Sequence, residues 1–376
     1  MINNRVAIVT AYIPDPLNEN GGPSGLLWEI INYLNNELNI ETDVIYKPIS
    51  KNTLIRVLQR NGLYISKCEN KFDSYKYIIV YPDDVLFYVN RKYWHKVIIL
   101  GPDSPSLRDA RDYRTKKIGI KKIIKYLMFL HSRYNEYIAL KYVHKFIVVG
   151  KTDSMYMRSN PLINKDAIKK IVFLRHPVLS SVVKQDSQPT KGDEIDYKRF
   201  VFSITPKNQN FMFIKKVIEQ LARYSANSKK KMHILLVGER SKWMYELFSN
   251  ISMCVVEYLP WAARYSDICL LKQDVHCLPL LSGAGTKNRT LTALAFNLEI
   301  ITTPIGIENI PWRQLTGIYI AANPKKFADY MIQVNDDELC IDYIDVMKQR
   351  SYVCMNIKEQ FQLTLREILG DTACKW

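Results

Sequence analysis

The stretch with the clearest chemical meaning is Leu278-Pro279-Leu280-Leu281-Ser282-Gly283-Ala284-Gly285-Thr286-Lys287-Asn288-Arg289. Its pattern predicts a strand that ends in a glycine-flanked turn and opens a helix. Unpaired backbone N–H groups at a helix start favour an anion, and glycines let a ligand approach the main chain closely. Lys287 and Arg289 fall in the first helical turn, where the helix dipole disfavours cations. Cations placed against that preference point to a bound anion, and phosphate is the usual one. The spacing is not a Walker loop, since no Gly-Lys-Ser/Thr follows at the required distance, and Asn288 replaces the third glycine of a dinucleotide fingerprint. A tight strand-to-helix turn without a ligand is the plain alternative.

Other chemistry-bearing residues are sparser. The histidines at 131, 144, 176 and 276 form no defensible Ser-His-Asp or Cys-His arrangement. His276 alternates with strand neighbours beside the glycine turn, which would let it face a cleft. Asp83 and Asp84 are adjacent, and on a strand they would point to opposite faces. The seven cysteines (68, 254, 269, 277, 340, 354, 374) are odd in number and never spaced C-x-x-C, against both a disulfide framework and a zinc ribbon.

The elements that must position the turn read as two α/β series. Strands are expected at 6–9, 42–47, 77–81, 97–100 and 146–149, with apolar residues at helical spacing from 26 to 34 and a long helix over 118–144 that is weak at Gly119. A polar, aperiodic stretch from Ser180 to Tyr197 reads as a linker. The second series has strands at 200–204, 233–237, 253–257, 275–281 and 300–303, helices at 210–224 and 287–296, and one or two helices over 341–369. Alternation of this kind implies parallel, doubly wound sheets. The expected organisation is a first domain over 1–180, a linker over 181–197, a second domain over 198–340 and C-terminal helices over 341–376.

Lys and Arg number 53 against 37 Asp and Glu, a formal charge of +16, which favours an anionic partner. With 47% hydrophobic and 24% charged residues, the chain has the balance of a folded protein rather than a disordered one. No apolar run reaches the length of a membrane span, and Val6–Pro14 reads as a strand rather than a signal peptide, so a cytoplasmic protein is expected. Between Arg108 and Lys125, eight basic residues stand against two acids, with Ile, Leu, Met and Phe interleaved. Such a patch could hold the protein at an anionic membrane, the inner face of the cytoplasmic membrane being the expected place. A solvated helix face over a packed core is the alternative. Nucleic acid is not the expected partner, because no recognition module accompanies the charge.

The run Gly283-Ala284-Gly285-Thr286-Lys287, followed by Leu291-Thr292-Ala293-Leu294-Ala295-Phe296-Asn297 and by Thr303-Pro304-Ile305-Gly306, resembles the donor-binding half of glycosyltransferase family 4, the group 1 glycosyltransferases. Asn297 stands where that family usually has Gly, a mild change because Asn also tolerates the left-handed helix stop. Weaker likenesses follow in order along the chain. Gly21-Gly22-Pro23-Ser24-Gly25 resembles the acceptor-side glycine loop, Lys151-Thr152-Asp153 the end of the acceptor domain, and Phe202–Asn210 the opening of the donor domain.

The resemblance implies a GT-B fold: two Rossmann-like domains with parallel sheets facing across a cleft. It implies a metal-independent, retaining hexosyltransferase that needs no cofactor beyond a nucleotide-diphosphate sugar as co-substrate. The acceptor would be a glycan or polyprenyl-linked intermediate of bacterial surface polysaccharide synthesis, of the lipopolysaccharide O-antigen or capsule type. It places donor binding on Gly283, Ala284, Gly285, Thr286, Lys287, Arg289, Thr292 and Lys207, and acceptor-side contacts on Gly21, Gly22 and Ser24, without naming a catalytic side chain. Two glutamates common in the family fall at Ala284 and Thr292. Their absence keeps open a non-catalytic GT-B protein that binds a sugar nucleotide or a partner, and the basic charge alone leaves a nucleic-acid-binding protein as a further alternative.

Overall fold

The computed structural model describes residues 5–16, 23–48, 71–101, 103–116, 118–178, 197–203, 208–225, 230–262, 265, 268–270 and 272–369. Gly21, Gly22, Lys207 and nearly all of the expected linker therefore lie outside the described residues.

The first series runs β1 (Arg5–Thr10), α1 (Pro23–Asn36), β2 (Glu41–Tyr46), β3 (Tyr77–Tyr81), β4 (Val97–Gly101), α2 (Pro105–Arg114), α3 (Ile120–Tyr142), β5 (Lys145–Val148), α4 (Lys151–Arg158), α5 (Lys165–Ile168) and β6 (Ile171–Phe173). The second runs β7 (Arg199–Phe202), α6 (Asn208–Ser225), β8 (Met232–Val237), α7 (Trp243–Ser249), β9 (Cys254–Leu259), β10 (Asp274–Leu278), α8 (Asn288–Ala295), β11 (Glu299–Thr302), β12 (Ile318–Ile320), α9 (Pro324–Asn335) and α10 (Tyr343–Leu369). The strands form two six-stranded sheets, ordered β2-β1-β3-β4-β5-β6 and β12-β11-β10-β7-β8-β9, with every recorded pairing parallel. This is the GT-B architecture.

Central strands of both sheets are apolar on successive residues, as Ile78-Ile79-Val80 and Phe200-Val201-Phe202 are, because helices cover both faces. Phe200, Phe202, Phe213, Phe248 and Phe327 pack into one core of the second domain, each side chain contributing about 1.5–3 kcal/mol on burial. Counted from β7, the second sheet has the strand order of a classical dinucleotide fold, and its order reverses between β7 and β10. The crevice outside the carboxyl ends of those two strands is where such sheets bind ligands. The glycine turn follows β10 there.

Helix α10 joins the domains. Val353 and Ile357 belong to the core that contains Leu294 and Ile300, while Phe361, Leu365 and Ile368 pack with Val6, Leu26 and Ile147 of the first domain. Arg350, almost fully buried on the same helix, donates to the carbonyls of Leu298, Thr316 and Gly317.

Several sequence expectations shift. Residues 105–114 form a helix inside the charged patch, Ser104 capping it through the Leu107 amide. β10 stops at Leu278, because Pro279 has no N–H to extend the ladder. The short strands β6 and β12 have too few residues for a periodic signal. Asp83 and Asp84 begin a 3-10 helix over Asp83–Tyr88 instead of sharing a strand. Asn297 takes φ 56°, as expected of a left-handed stop, and the tail is a single helix.

Candidate functional site

The turn after β10 is built on positive φ at Gly283 (120°) and Gly285 (68°), a backbone that side-chain-bearing residues rarely adopt. Leu281 N–H donates to Asn210 Oδ1 at 3.1 Å, fixing the approach to the turn from α6. Gly306 supports it from behind: a Cβ there would meet Thr302 Oγ1 at 2.0 Å and the Leu278 carbonyl at 3.1 Å. Thr290 Oγ1 donates to the Gly306 carbonyl at 2.7 Å, tying α8 to the same loop.

The turn does what its geometry suggests and receives an anion, one supplied by the protein. Gly285 N–H donates to both carboxylate oxygens of Asp153, at 3.1 and 3.0 Å, from the start of α4 in the first domain. Ser104 N–H donates to Asp153 Oδ1 at 2.8 Å. Burial raises the Asp153 pKa above the ordinary aspartate value, and these two N–H groups work against that rise.

Further bonds cross the cleft. Thr286 Oγ1 donates to the Val149 carbonyl at 2.6 Å, and within the second domain Asn309 Nδ2 donates to the Gly285 carbonyl at 3.1 Å. Asn309 Oδ1 accepts from Thr152 N–H at 3.0 Å. Arg111 of α2 holds Glu308 through two bonds of 2.6 and 2.8 Å and also donates to the Gly283 carbonyl at 2.5 Å. A two-pronged, half-buried pair of this kind is worth more than an exposed one.

The two predicted cations divide. Lys287 Nζ turns back onto its own loop and donates to the Ala284 and Gly285 carbonyls at 2.9 and 2.8 Å. Burial pushes the Lys287 ammonium below its ordinary pKa, with Glu308 and Asp153 opposing the shift. Arg289 has no hydrogen bond or ion pair with any described residue, and burial lowers its pKa too. A half-buried guanidinium without a protein partner is available to an anionic ligand.

Other expected residues fall elsewhere. Thr292 is buried and its hydroxyl donates to the Asn288 carbonyl at 3.1 Å. Ala284 is half-buried on the turn, and Ser24 lies in the first turn of α1 with its carbonyl accepting from Asp15 N–H at 3.3 Å. His276 does not open onto the cleft: it is 4% exposed, neither ring nitrogen has a partner, and its ring meets Tyr265 edge-on. Burial, then the Arg289 charge, pushes its pKa down to about 3. His176 is also buried, with its pKa pushed down to about 4 by burial. Among the described residues no group of three or more His, Cys, Asp or Glu side chains is placed to hold a metal ion.

Nothing in residue type or spacing marks the roles of Arg111, Glu308 and Asn309. Arg111 was one cation among eight in a patch, and a charge count cannot tell a half-buried arginine from a solvated one. Asn309 carries a weak signal, since its φ of 71° is one that Asn accepts more readily than most residues.

Comparison with known proteins agrees with this architecture. Residues 199–337 match the family described as "Glycosyl transferases group 1". The lipopolysaccharide outer core galactosyltransferase WaaB superposes with a TM-score of 0.57 at 12% identity, over 96% of this chain and 99% of that one. WaaG, a glycosyltransferase involved in lipopolysaccharide biosynthesis, gives 0.61 at 10% identity over 98% and 100%. HepE from Anabaena, in complex with UDP and glucose, gives 0.56 at 10% identity over 96% and 99%. Comparison with curated proteins finds no match. At these identities the structural likeness establishes the GT-B fold, and the family match covers the second domain.

Proposed function

We propose that this protein is a retaining glycosyltransferase of group 1 type, moving a hexose from a nucleotide-diphosphate sugar to a glycan or lipid-linked acceptor. The observation that carries the reading is the glycine turn at the strand-order reversal of a sheet whose domain matches that family. The acceptor would belong to surface polysaccharide synthesis, a role suggested by likeness to proteins named for lipopolysaccharide synthesis.

In this reading the diphosphate of the donor takes the Gly285 N–H that Asp153 now occupies, and Arg289 supplies the charge. Both act most strongly as the glycosidic bond breaks and negative charge gathers on the leaving diphosphate, so they stabilise the transition state more than the ground state. Lys287 keeps the turn in shape by tying its carbonyls together. Gly283, Ala284, Thr286 and Thr292 line the same turn and helix, Lys207 would add a cation from the loop after β7, and Gly21, Gly22 and Ser24 would meet the acceptor. Domain limits of 1–180, 181–197, 198–340 and 341–376 fit this division of labour. Transfer of this kind needs no metal or cofactor beyond the donor.

The test is incubation with a panel of nucleotide sugars while measuring nucleoside-diphosphate release, followed by NMR assignment of the product anomer. Release with one donor, and a product of unchanged anomeric configuration, is the expected result. Tight donor binding with no release in the presence of acceptor extracts would support the non-catalytic alternative.

A further inference from the structure

Asp153 stands in the first turn of α4, where a carboxylate ordinarily serves the free N–H groups of its own helix. Its bonds go elsewhere. One oxygen accepts from Ser104 N–H at 2.8 Å, and both accept from Gly285 N–H across the cleft. The side chain has no exposed surface. Around it Arg111 holds Glu308 and the Gly283 carbonyl, Thr286 reaches the Val149 carbonyl, and Thr152 N–H meets Asn309. All these partners in the second domain lie on the glycine turn or in the loop after β11.

Gly150 leaves room for this contact. It caps α4 with φ −123° and ψ 130°, a backbone open to any side chain, so glycine is not needed there for its dihedrals. A Cβ at 150 would lie 2.0 Å from Asp153 Oδ2 and 2.8 Å from Asn309 Nδ2, one partner from each domain. Only the bare residue lets the carboxylate and the amide meet the turn together.

We propose that Asp153 is a plug: its carboxylate fills the anion seat of the glycine turn and holds the cleft shut until a diphosphate displaces it. The two anions cannot share one N–H, and side by side they repel. Withdrawing Asp153 takes α4 away from the turn and breaks the neighbouring bonds of Val149 and Thr152. Ligand binding therefore parts the two domains instead of drawing them together. A seat that is plugged most of the time also binds its ligand more weakly, by the inverse of the fraction left open. The contact itself is geometric; that a diphosphate competes for it rests on the reading of the turn given above.

The test uses the full chain as wild type, Asp153→Asn and Gly150→Ala. Asparagine keeps the shape of the plug and removes its charge. Alanine keeps the charge and pushes the plug aside, because the atoms nearest its Cβ all belong to the Asp153 and Asn309 side chains. Small-angle X-ray scattering without nucleotide should give both variants a larger radius of gyration than wild type. Calorimetric titration follows with pyrophosphate, UDP, ADP and GDP. The diphosphate that binds wild type should bind both variants at least about tenfold more tightly, and should expand wild type to the variants' radius. Equal radii and equal affinities in all forms would overturn the plug. So would a gain in affinity confined to Asp153→Asn, which would show charge repulsion without a plug, or larger variants that bind diphosphate no better than wild type. If none of the four probes binds any form while both variants are larger, the reading of the turn as a diphosphate site fails, and the competition fails with it.

Discussion

Lys287 stands just before α8 and Arg289 in its first turn, yet their side chains have opposite situations. Lys287 places its ammonium on two carbonyls of its own loop, whereas Arg289 is half-buried with no partner among the described residues. Lys287→Ala should therefore lower the unfolding midpoint by about 1–2 °C, the size expected for losing roughly 1 kcal/mol in a chain of this length. Arg289→Ala should leave the midpoint unchanged, since it removes a half-buried side chain that bonds to no described residue. Differential scanning calorimetry of both variants checks the pair. His276 makes a separate prediction about acid. Its folded pKa, near 3, lies below the ordinary 6.5, so the folded state refuses a proton that the unfolded chain accepts. Its contribution is intact above about pH 6.5 and is lost as pH falls toward 3, at about 1.4 kcal/mol per pH unit. His176 behaves alike down to about pH 4. His276→Phe should leave stability at pH 7 unchanged or higher and make urea-unfolding free energies fall less steeply below pH 6. An acid limb as steep as wild type would contradict the assignment. Sequence showed both cations of the turn but not their division, because the fold of a lysine onto its own carbonyls depends on glycine dihedrals that residue type does not report.

At the scale of elements, strands with long apolar runs were legible almost to the residue, β3 at 77–81 among them. The glycine turn and the Asn297 helix stop were legible for the same reason, that few residues tolerate those dihedrals. Helix α2 was hidden because its mean hydropathy is low and its bonds to α3 and Glu308 come from residues distant in sequence. Helix α10 was legible as a helix, but its double allegiance was visible only in the fold. Phe361 lies on the tail, yet it is 3% exposed and meets Tyr33 of the first domain with ring centres 6.3 Å apart. Phe361→Ala should cost about 3–5 kcal/mol through the cavity it leaves. Hydrogen exchange should show the loss of protection in β1 and α1 of the first domain, and loss confined to the second domain would contradict this packing.

For the whole molecule, two sheets with reversal points face each other, and the contacts between them converge on one turn. Asp153, Arg111, Val149 and Thr152 reach it from the first domain, and Glu308 and Asn309 frame it from the second. The fold class followed from alternating strands and helices, since parallel sheets need such crossovers. The closure of the cleft did not, because it joins residues more than a hundred positions apart through backbone groups that every sequence shares. The central claim is that this turn binds the diphosphate of a nucleotide sugar. Its most direct test is calorimetric titration of wild type and Arg289→Ala with nucleoside diphosphates and with the matching nucleosides. The expected result is diphosphate binding that weakens about tenfold in the variant, as loss of a charge-assisted bond of roughly 1.5–3 kcal/mol implies, with nucleoside binding unaltered. Equal diphosphate affinity in the two proteins would place the anion site elsewhere and contradict the account.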